Sequence, residues 1–421
     1  MRARILAVAA LALLISGTGC SPHQVSEARR EVKVKVARTT AWRTSEIASP
    51  AGIRDAVFRG ISCFNSHHCV ALGQQINNRD TAFAITEARG KWRRAVMLRA
   101  PARTRDWSVT DISCPSARLC VVVGELEIEG ASPTYAFVGT LAGRQWSGPQ
   151  LIRTATLLNA VSCPAPGSCV AVGESSSRPV IVTESAGRWH KAIPVNLAQV
   201  KPSGDIQNTL RSVACNRPGF CVAVGSYSKQ LPAGPAARPM IVISLHGTWL
   251  PARTVAAPQG IGAWPTFANA QQPAPVGLAG LDAVSCLPGG LCLAVGAYLT
   301  SLVRWSGITV DVLNGHIGRS QGELPSLSAI TCDSRGCVGL ASADARSGSG
   351  NAADVAITYS DGHWHSAMPI KPPANANTSP QMSPLTVRDI VCFANGGCIA
   401  VGDYQTAETI PSHRLLVATR P

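Results

Sequence analysis

Charge and aromatic rings are scarce in this sequence. Charged residues make up 15% of the 421 positions and aromatics 5%, with only five tyrosines. No long polar low-complexity tract is present, which argues against a disordered chain. Beyond the first twenty residues there is no stretch of 3.6-residue apolar periodicity, so a helical bundle or solenoid is excluded. No later apolar run is long enough to span a bilayer as a helix. No HExxH, nucleophile elbow, P-loop or dinucleotide fingerprint appears, so nothing points to a zinc metalloprotease, an α/β-hydrolase or a nucleotide-binding enzyme. The basic residues are scattered rather than gathered into a nucleic-acid arm.

What is abundant is Val, Ile, Ala and Thr in short apolar runs, punctuated by 38 Gly and 29 Pro. That composition favours strands and turns. Fifteen cysteines are present, and fourteen fall into seven local pairs. The pairs are Cys63/Cys69, Cys114/Cys120, Cys163/Cys169, Cys215/Cys221, Cys286/Cys292, Cys332/Cys337 and Cys392/Cys398. Each sits in one repeated phrase, as in ISCPSARLCVVVG (Ile112 to Gly124) or VSCPAPGSCVAVG (Val161 to Gly173). The sixth copy, Ile330 to Ala341, has one residue fewer between its cysteines and ends in Ala instead of Gly.

Each phrase reads as a hairpin: an apolar strand to the first Cys, a turn of Pro, Gly, Asn and Ser, then a β-branched strand closed by Gly. A third apolar run follows, such as TAFAITEA or PVIVTES, then a Gly turn and usually a Trp: Trp92, Trp146, Trp189, Trp249 and Trp364, with Ile317 in the fifth unit. The stretch after the Trp reads as a fourth strand. Four strands per unit, with first cysteines 46 to 71 residues apart, predict an all-β seven-bladed propeller of four antiparallel strands per blade. The seventh unit stops at Pro421 after its third strand, and residues 42–48 match a fourth. The N-terminal segment is therefore expected to close the last blade.

The first nineteen residues read as a signal peptide: Arg2 and Arg4, an apolar run from Ile5 to Ile15, then small residues to Gly19. The segment resembles a bacterial lipoprotein signal, which implies a lipidated Cys20 at the mature N-terminus, a tether over residues 20–38 and a propeller over 39–421. Where that family has Leu or Val three residues before the Cys, this chain has Gly17. An ordinary secretory signal cleaved near Gly19 is the alternative. In an exported chain the fourteen remaining cysteines read as seven hairpin disulfides, each a staple on the turn between first and second strand. Zinc sites would need about four thiolates converging rather than pairs spread around a ring. The net charge of +14 suits an anionic envelope polymer or lipid headgroups. It equally suits a soluble basic surface. Nucleic acid is an unsuitable partner for an exported protein. No cofactor is implied, and a monomer is expected.

For a site, the non-repeating loops stand out: Pro258 to Gly280, Lys371 to Pro384 and Ser226 to Pro239. In propellers generally, ligands meet the face made by such loops, and the cysteine turns belong to the opposite face. Four residues before each first Cys lies a mostly polar position: Arg59, Thr110, Asn159, Arg211, Asp282, Ser328 and Arg388. On strands lining a channel these form a ring, in which Arg59, Arg211, Arg388 and Asp282 either grip an anion or pair with neighbours. Trp107 and Trp264 either stack on sugar rings or pin their own loops. Tyr298 starts a loop and reaches the same face. His67 and His68, inside the first cysteine loop, read as solvated histidines rather than metal ligands.

Ser360-Asp361-Gly362-His363-Trp364 resembles the Asp-box of sialidase-like propellers, although other copies lack the Asp. The whole repeat is similar to secreted bacterial proteins with S-C-P…C-V-A-V-G units that are grouped with that fold. The resemblance implies fold more than function. A retaining sialidase needs an arginine cluster, a Tyr beside a Glu and an acid/base Asp, and no FRIP-type motif is present. Two functions follow: a non-catalytic propeller binding a glycan, peptide or protein through its loop face, or a glycoside hydrolase or lyase with a site at the channel mouth.

Overall fold

The computed structural model describes residues 41–76, 81–130, 134–203, 208–231, 234–265, 278–301, 304–341, 354–365, 367–377, 385–408 and 412–421. The signal segment, Cys20 and the tether lie outside these residues, as does the middle of the Pro258 to Gly280 connection and the end of Lys371 to Pro384. The described residues form seven antiparallel sheets of four-stranded plan with no helix. The inner strands are Ala56–Asn65, Thr104–Ser116, Leu157–Ala165, Thr209–Arg217, Ala279–Cys286, Leu327–Asp333 and Leu385–Cys392. Each packs against the inner strand of the next blade, and the seventh packs against the first, which closes the ring. The seven blades are separated by apolar layers built from alternate residues of neighbouring sheets, such as Val224, Ile241 and Leu281 between blades four and five.

The N-terminal strand Arg43–Ile47 is the outer strand of blade seven. It pairs antiparallel with His413–Arg420, Arg43 opposite Thr419 and Ile47 opposite Leu415. All seven cysteine pairs are disulfides: Cys63–Cys69, Cys114–Cys120, Cys163–Cys169, Cys215–Cys221, Cys286–Cys292, Cys332–Cys337 and Cys392–Cys398. Each closes the turn between inner and second strand. That turn bonds to the Gly turn of the same blade: the Arg89 N–H donates to the His67 carbonyl at 3.1 Å, Gly143 to Arg118 at 2.8 Å and Gly247 to Gly219 at 3.0 Å. The cysteine turns and Gly turns therefore share one face.

The pairing is as expected, and the sulfurs also reach into the interior. The second cysteine of every pair is buried: Cys69, Cys120, Cys169, Cys221, Cys292, Cys337 and Cys398. Each opens a second strand, where its side chain falls on the alternation that points into an apolar layer between blades. Cys69 packs with Ile61 and Phe83, Cys120 with Val122 and Leu141, and Cys169 with Ala171 and Val182. Cys221 joins Val213 and Val242, Cys292 joins Ala294 and Val312, Cys337 joins Ile330 and Ile357, and Cys398 joins Ala400 and Ala418. The first cysteines are half-buried, except that Cys114 is buried as well. These disulfides are thus core groups as well as cross-links, and their buried halves are closed to ligand or metal. Replacing Cys163 and Cys169 by Ala removes one small closed loop without burying a hydroxyl in the apolar layer. We expect a loss of about 2 kcal/mol and a melting temperature lower by roughly 2–4 °C, read by calorimetry. Complete unfolding would mean that one staple carries far more than its own blade.

Two irregularities recur around the ring. Each inner strand skips a residue at one shared position: pairing jumps from Phe58 to Gly60, Val109 to Asp111, Leu158 to Ala160, Leu210 to Ser212, Leu281 to Ala283, Leu327 to Ala329 and Val387 to Asp389. The skipped residue is a β-bulge. It presses the backbone before it toward the second strand, and the repeated Gly accommodates that approach. A methyl group added at Gly225 would collide with the Thr209 carbonyl oxygen, and one at Gly402 with that of Thr386. Blade six tolerates Ala341 because its pairing ends at Leu327 opposite Ala341. The second irregularity lies within the expected fourth strand. After the Trp, the outer strand slips by one residue against the third, so that Glu87 faces Trp92 while Ala84 faces Val96. In four blades the slip divides the outer strand into two short pieces.

A further correction concerns Ser226 to Pro239, expected as a loop. Pairing continues from Ser226 opposite Pro239 to Leu231 opposite Gly234, so it is the extended tip of the Phe220–Leu231 and Gly234–Leu245 hairpin. The Pro and Gly content disguised it, yet Tyr227, Ser228 and Ala236 are buried there.

Candidate functional site

The seven bulge residues are the seven polar residues four places before each first Cys. A bulge re-aims its side chain, and here several side chains clasp the next blade. The Thr110 hydroxyl donates to the Leu158 carbonyl at 2.6 Å, and the Asn159 amide to the Leu210 carbonyl at 2.7 Å. Arg211 Nη1 meets Asp282 Oδ1 at 2.5 Å. Arg388 turns instead to its own blade, its Nε 2.8 Å from Asp403 Oδ1, and His413 Nδ1 meets the other oxygen of that carboxylate at 3.1 Å. Arg59 lies half-buried in the first blade's bulge. The arginines are thus distributed around the ring, and Arg211 and Arg388 each have a carboxylate partner.

One hollow brings two of these residues together. Between blades four and five, on the loop face, a cavity of about 400 Å³ is lined by Arg211, Asp282, Ser226, Gly280, Trp305 and Ser326, among others. Arg211 and Asp282 come from bulges, and Ser226 from the extended hairpin of blade four. Trp305 stands at the start of the third strand of blade five, Arg304–Leu313, and is half-buried. The pair is partly exposed, its side chains 44% and 30% accessible, so it contributes little to stability and keeps donors and acceptors available to a ligand. Sequence reasoning singles out Arg211 and Asp282 but misses Trp305. The available signal was an aromatic at a third-strand position where no other blade has a Trp.

The aromatic candidates Trp107, Trp264 and Tyr298 are held by packing, which favours the pinning role for the two tryptophans. Trp107 is 1% exposed and packs on Phe137 with ring centroids 5.5 Å apart. Tyr298 is 2% exposed and stacks edge-on with Trp264 at 5.7 Å. The Trp264 indole N–H donates to the Val255 carbonyl at 3.1 Å. These contacts pin their segments to the blade, and the buried rings of Trp107 and Tyr298 offer no open face for a sugar, whereas Trp264 is half-buried. His67 is exposed and His68 half-buried, and among the described residues no three His, Cys, Asp or Glu side chains converge as a metal site.

Deeper in the channel, Asp111 and Asp389 flank Gly60, each with a carboxylate oxygen 3.4 Å from where a Gly60 Cβ would stand. Asp111 accepts from the Ile112 and Val161 N–H groups at 2.7 and 2.8 Å; Asp389 accepts from Ile390 and Ile61, both at 2.8 Å. They bridge neighbouring inner strands. Burial raises the pKa of Asp111 to about 7, with the nearby Asp389 adding to the rise, and burial raises that of Asp389 to about 6.

No family model matches this chain, and no curated protein matches it. Among solved structures it is similar to the WD40 β-propeller domain of Doa1 (9% identity, TM-score 0.48, 90% of this chain and 97% of that one). It is also similar to YCF48 from Cyanidioschyzon merolae (11%, 0.47, 90% and 98%) and to the phage phi92 endosialidase (6%, 0.46, 90% and 69%). The fold assignment rests on the strand order and register above, and these likenesses carry no function.

Proposed function

We propose that this chain is an exported, membrane-tethered binding propeller that takes a glycan in the hollow between blades four and five. The observation that carries this reading is the joining of an aromatic wall, Trp305, to an accessible Arg211–Asp282 pair in one concave site. Sugars are held by ring stacking on an aromatic face and by planar polar groups meeting adjacent hydroxyls. The seven disulfides suit an oxidising, extracytoplasmic setting, and a lipid on Cys20 would supply the tether.

The glycosidase reading asks for a reactive tyrosine beside a glutamate. Such a pair exists, with the Tyr404 hydroxyl donating to Glu46 Oε2 at 2.7 Å. However, Tyr404 is 1% exposed, and burial together with the Glu46 contact pushes its pKa up to about 12. A nucleophile needs the opposite shift. Tyr404 instead ties the N-terminal strand to blade seven.

The test is a glycan and peptidoglycan-fragment screen on the mature protein, followed by titration calorimetry on any ligand found, with hydrolysis products monitored. Trp305→Ala is expected to weaken binding at least tenfold, or about 1.4 kcal/mol, with the fold unchanged by circular dichroism. Asp282→Ala should act in the same direction. Turnover that Asp282→Ala abolishes would replace the binding reading with the enzymatic one.

A further inference from the structure

Exposed basic side chains predominate on the cysteine face over three neighbouring blades, where Glu87 is buried and Glu184 half-buried beside the Gly turns. Arg89, Lys91, Arg118, Arg144 and Arg188 are all exposed there. The backbone bonds from Arg89 to His67 and from Gly143 to Arg118 place these side chains on adjoining turns. Arg144 Nη1 donates to the Arg94 carbonyl at 3.1 Å, joining blade two to blade one. Among the described residues none of the five forms an ion pair with a carboxylate. Phe64, at the tip of the first cysteine turn, is 50% exposed. Beside it a hollow of about 910 Å³ is lined by His67, Arg89 and Trp92, with the carboxylate of the buried Glu87 turned to the Gly90 N–H in its wall.

We propose that this basic sector of the cysteine face docks on a bilayer containing anionic phospholipid, with Phe64 entering the headgroup region. Charge complementarity selects the occupant, because clustered Arg and Lys are attracted to an anionic leaflet within a Debye length. An exposed aromatic among basic residues is the composition of an interfacial anchor. The position of the chain's N-terminal side agrees. Arg43 pairs with Thr419, and Arg420 lies over the Trp42 ring at 5.6 Å beside the cysteine turn of blade seven, where Cys398 faces Arg420. The chain therefore joins the propeller on the docking face. From Cys20 to Ala41 an extended chain reaches about 70 Å, ample for this face to lie flat on the membrane that holds the lipid. The loop face, with the Arg211–Asp282 hollow, then points away from the membrane.

The surface is tested without the lipid, so the result is separate from Cys20 acylation and from glycan binding. The exported chain carrying Cys20→Ser is sedimented with vesicles of phosphatidylcholine alone or with about 30% phosphatidylglycerol, a strongly anionic surface. The expected result is binding to the anionic vesicles only, lost in 1 M NaCl, where the screening length is about 3 Å. The triple variant Arg89→Glu/Lys91→Glu/Arg118→Glu should bind at least tenfold more weakly, and Phe64→Ala several-fold more weakly. Equal binding to neutral vesicles, absence of binding to anionic ones, or an unaffected triple variant would each overturn the proposal. So would equally tight binding to soluble polyphosphate that displaces the vesicles, which would assign the patch to a polyanion.

Discussion

Replacing Trp42 by Ala is expected to cost about 3–5 kcal/mol, and deleting residues 41–48 to cost more. Trp42 is buried among Leu416, Ala418, Ile390 and Val338 in the core layer between blades six and seven. Its strand supplies five register pairs to His413–Arg420 and the carboxylate that accepts the Tyr404 hydroxyl. Without it, the third strand of blade seven becomes an open edge, and Tyr404 is left buried without that partner. The measurement is chemical denaturation of the protein. The midpoint should fall with an unchanged denaturant slope for Trp42→Ala. The deleted chain should recover part of its midpoint when a peptide of residues 41–48 is added. A midpoint unmoved by either change would show that blade seven does not depend on this strand.

The second large effect is a loss of stability as pH rises. Asp111 and Asp389 hold protons in the folded protein up to about pH 7 and about pH 6, whereas in an unfolded chain they release them near pH 4. Between those limits the folded state binds more protons than the unfolded one, so stability falls with increasing pH. It is fully present below about pH 4 and levels off above about pH 7. A shift of two to three units corresponds to roughly 3–4 kcal/mol per group, an upper bound because both side chains retain some exposure to the channel. The chain itself contains a neutral version of the same device. Ser212 occupies the equivalent position in blade four, and its hydroxyl accepts from the Val284 N–H at 3.2 Å. Asp111→Ser should therefore flatten the pH dependence in melting curves taken from pH 4 to 8. An equally steep dependence in the variant would remove Asp111 as its source.

The repeat, the blade count and the closing strand were legible because the cysteine phrase marks every inner hairpin and because the last unit visibly lacks a strand. The burial of Cys69 or Cys221 was less visible, since a cysteine beside a turn reads as a surface staple until the strand alternation is followed through it. The bulges were legible in principle. Phe58 and Ile61, or Leu210 and Val213, are buried three residues apart where strict alternation gives two, and that phase slip falls on the polar residue between them. The site was harder to find. Arg211 and Asp282 belong to a repeating position, but their meeting depends on where blade four ends and blade five begins, which spacing along the chain does not encode. Trp107 and Tyr298 read as loop residues because the hairpins of blades two and five run further than the repeat suggests. Their extended strands bury both rings.

The seam of blade seven also sets an order of events during folding. Among the described strands the first, Arg43–Ile47, waits for the last, His413–Arg420. Closing a loop of that length is entropically slow to be repaid. Each disulfide, by contrast, joins residues five or six apart and can form as soon as its own turn emerges. A chain that met oxidising conditions as it emerged would therefore acquire its covalent links one at a time. It seals the ring only after the C-terminus has arrived, so a prematurely terminated copy is left with correctly oxidised turns, a gap in the circle and nothing to stop its exposed edge from being degraded.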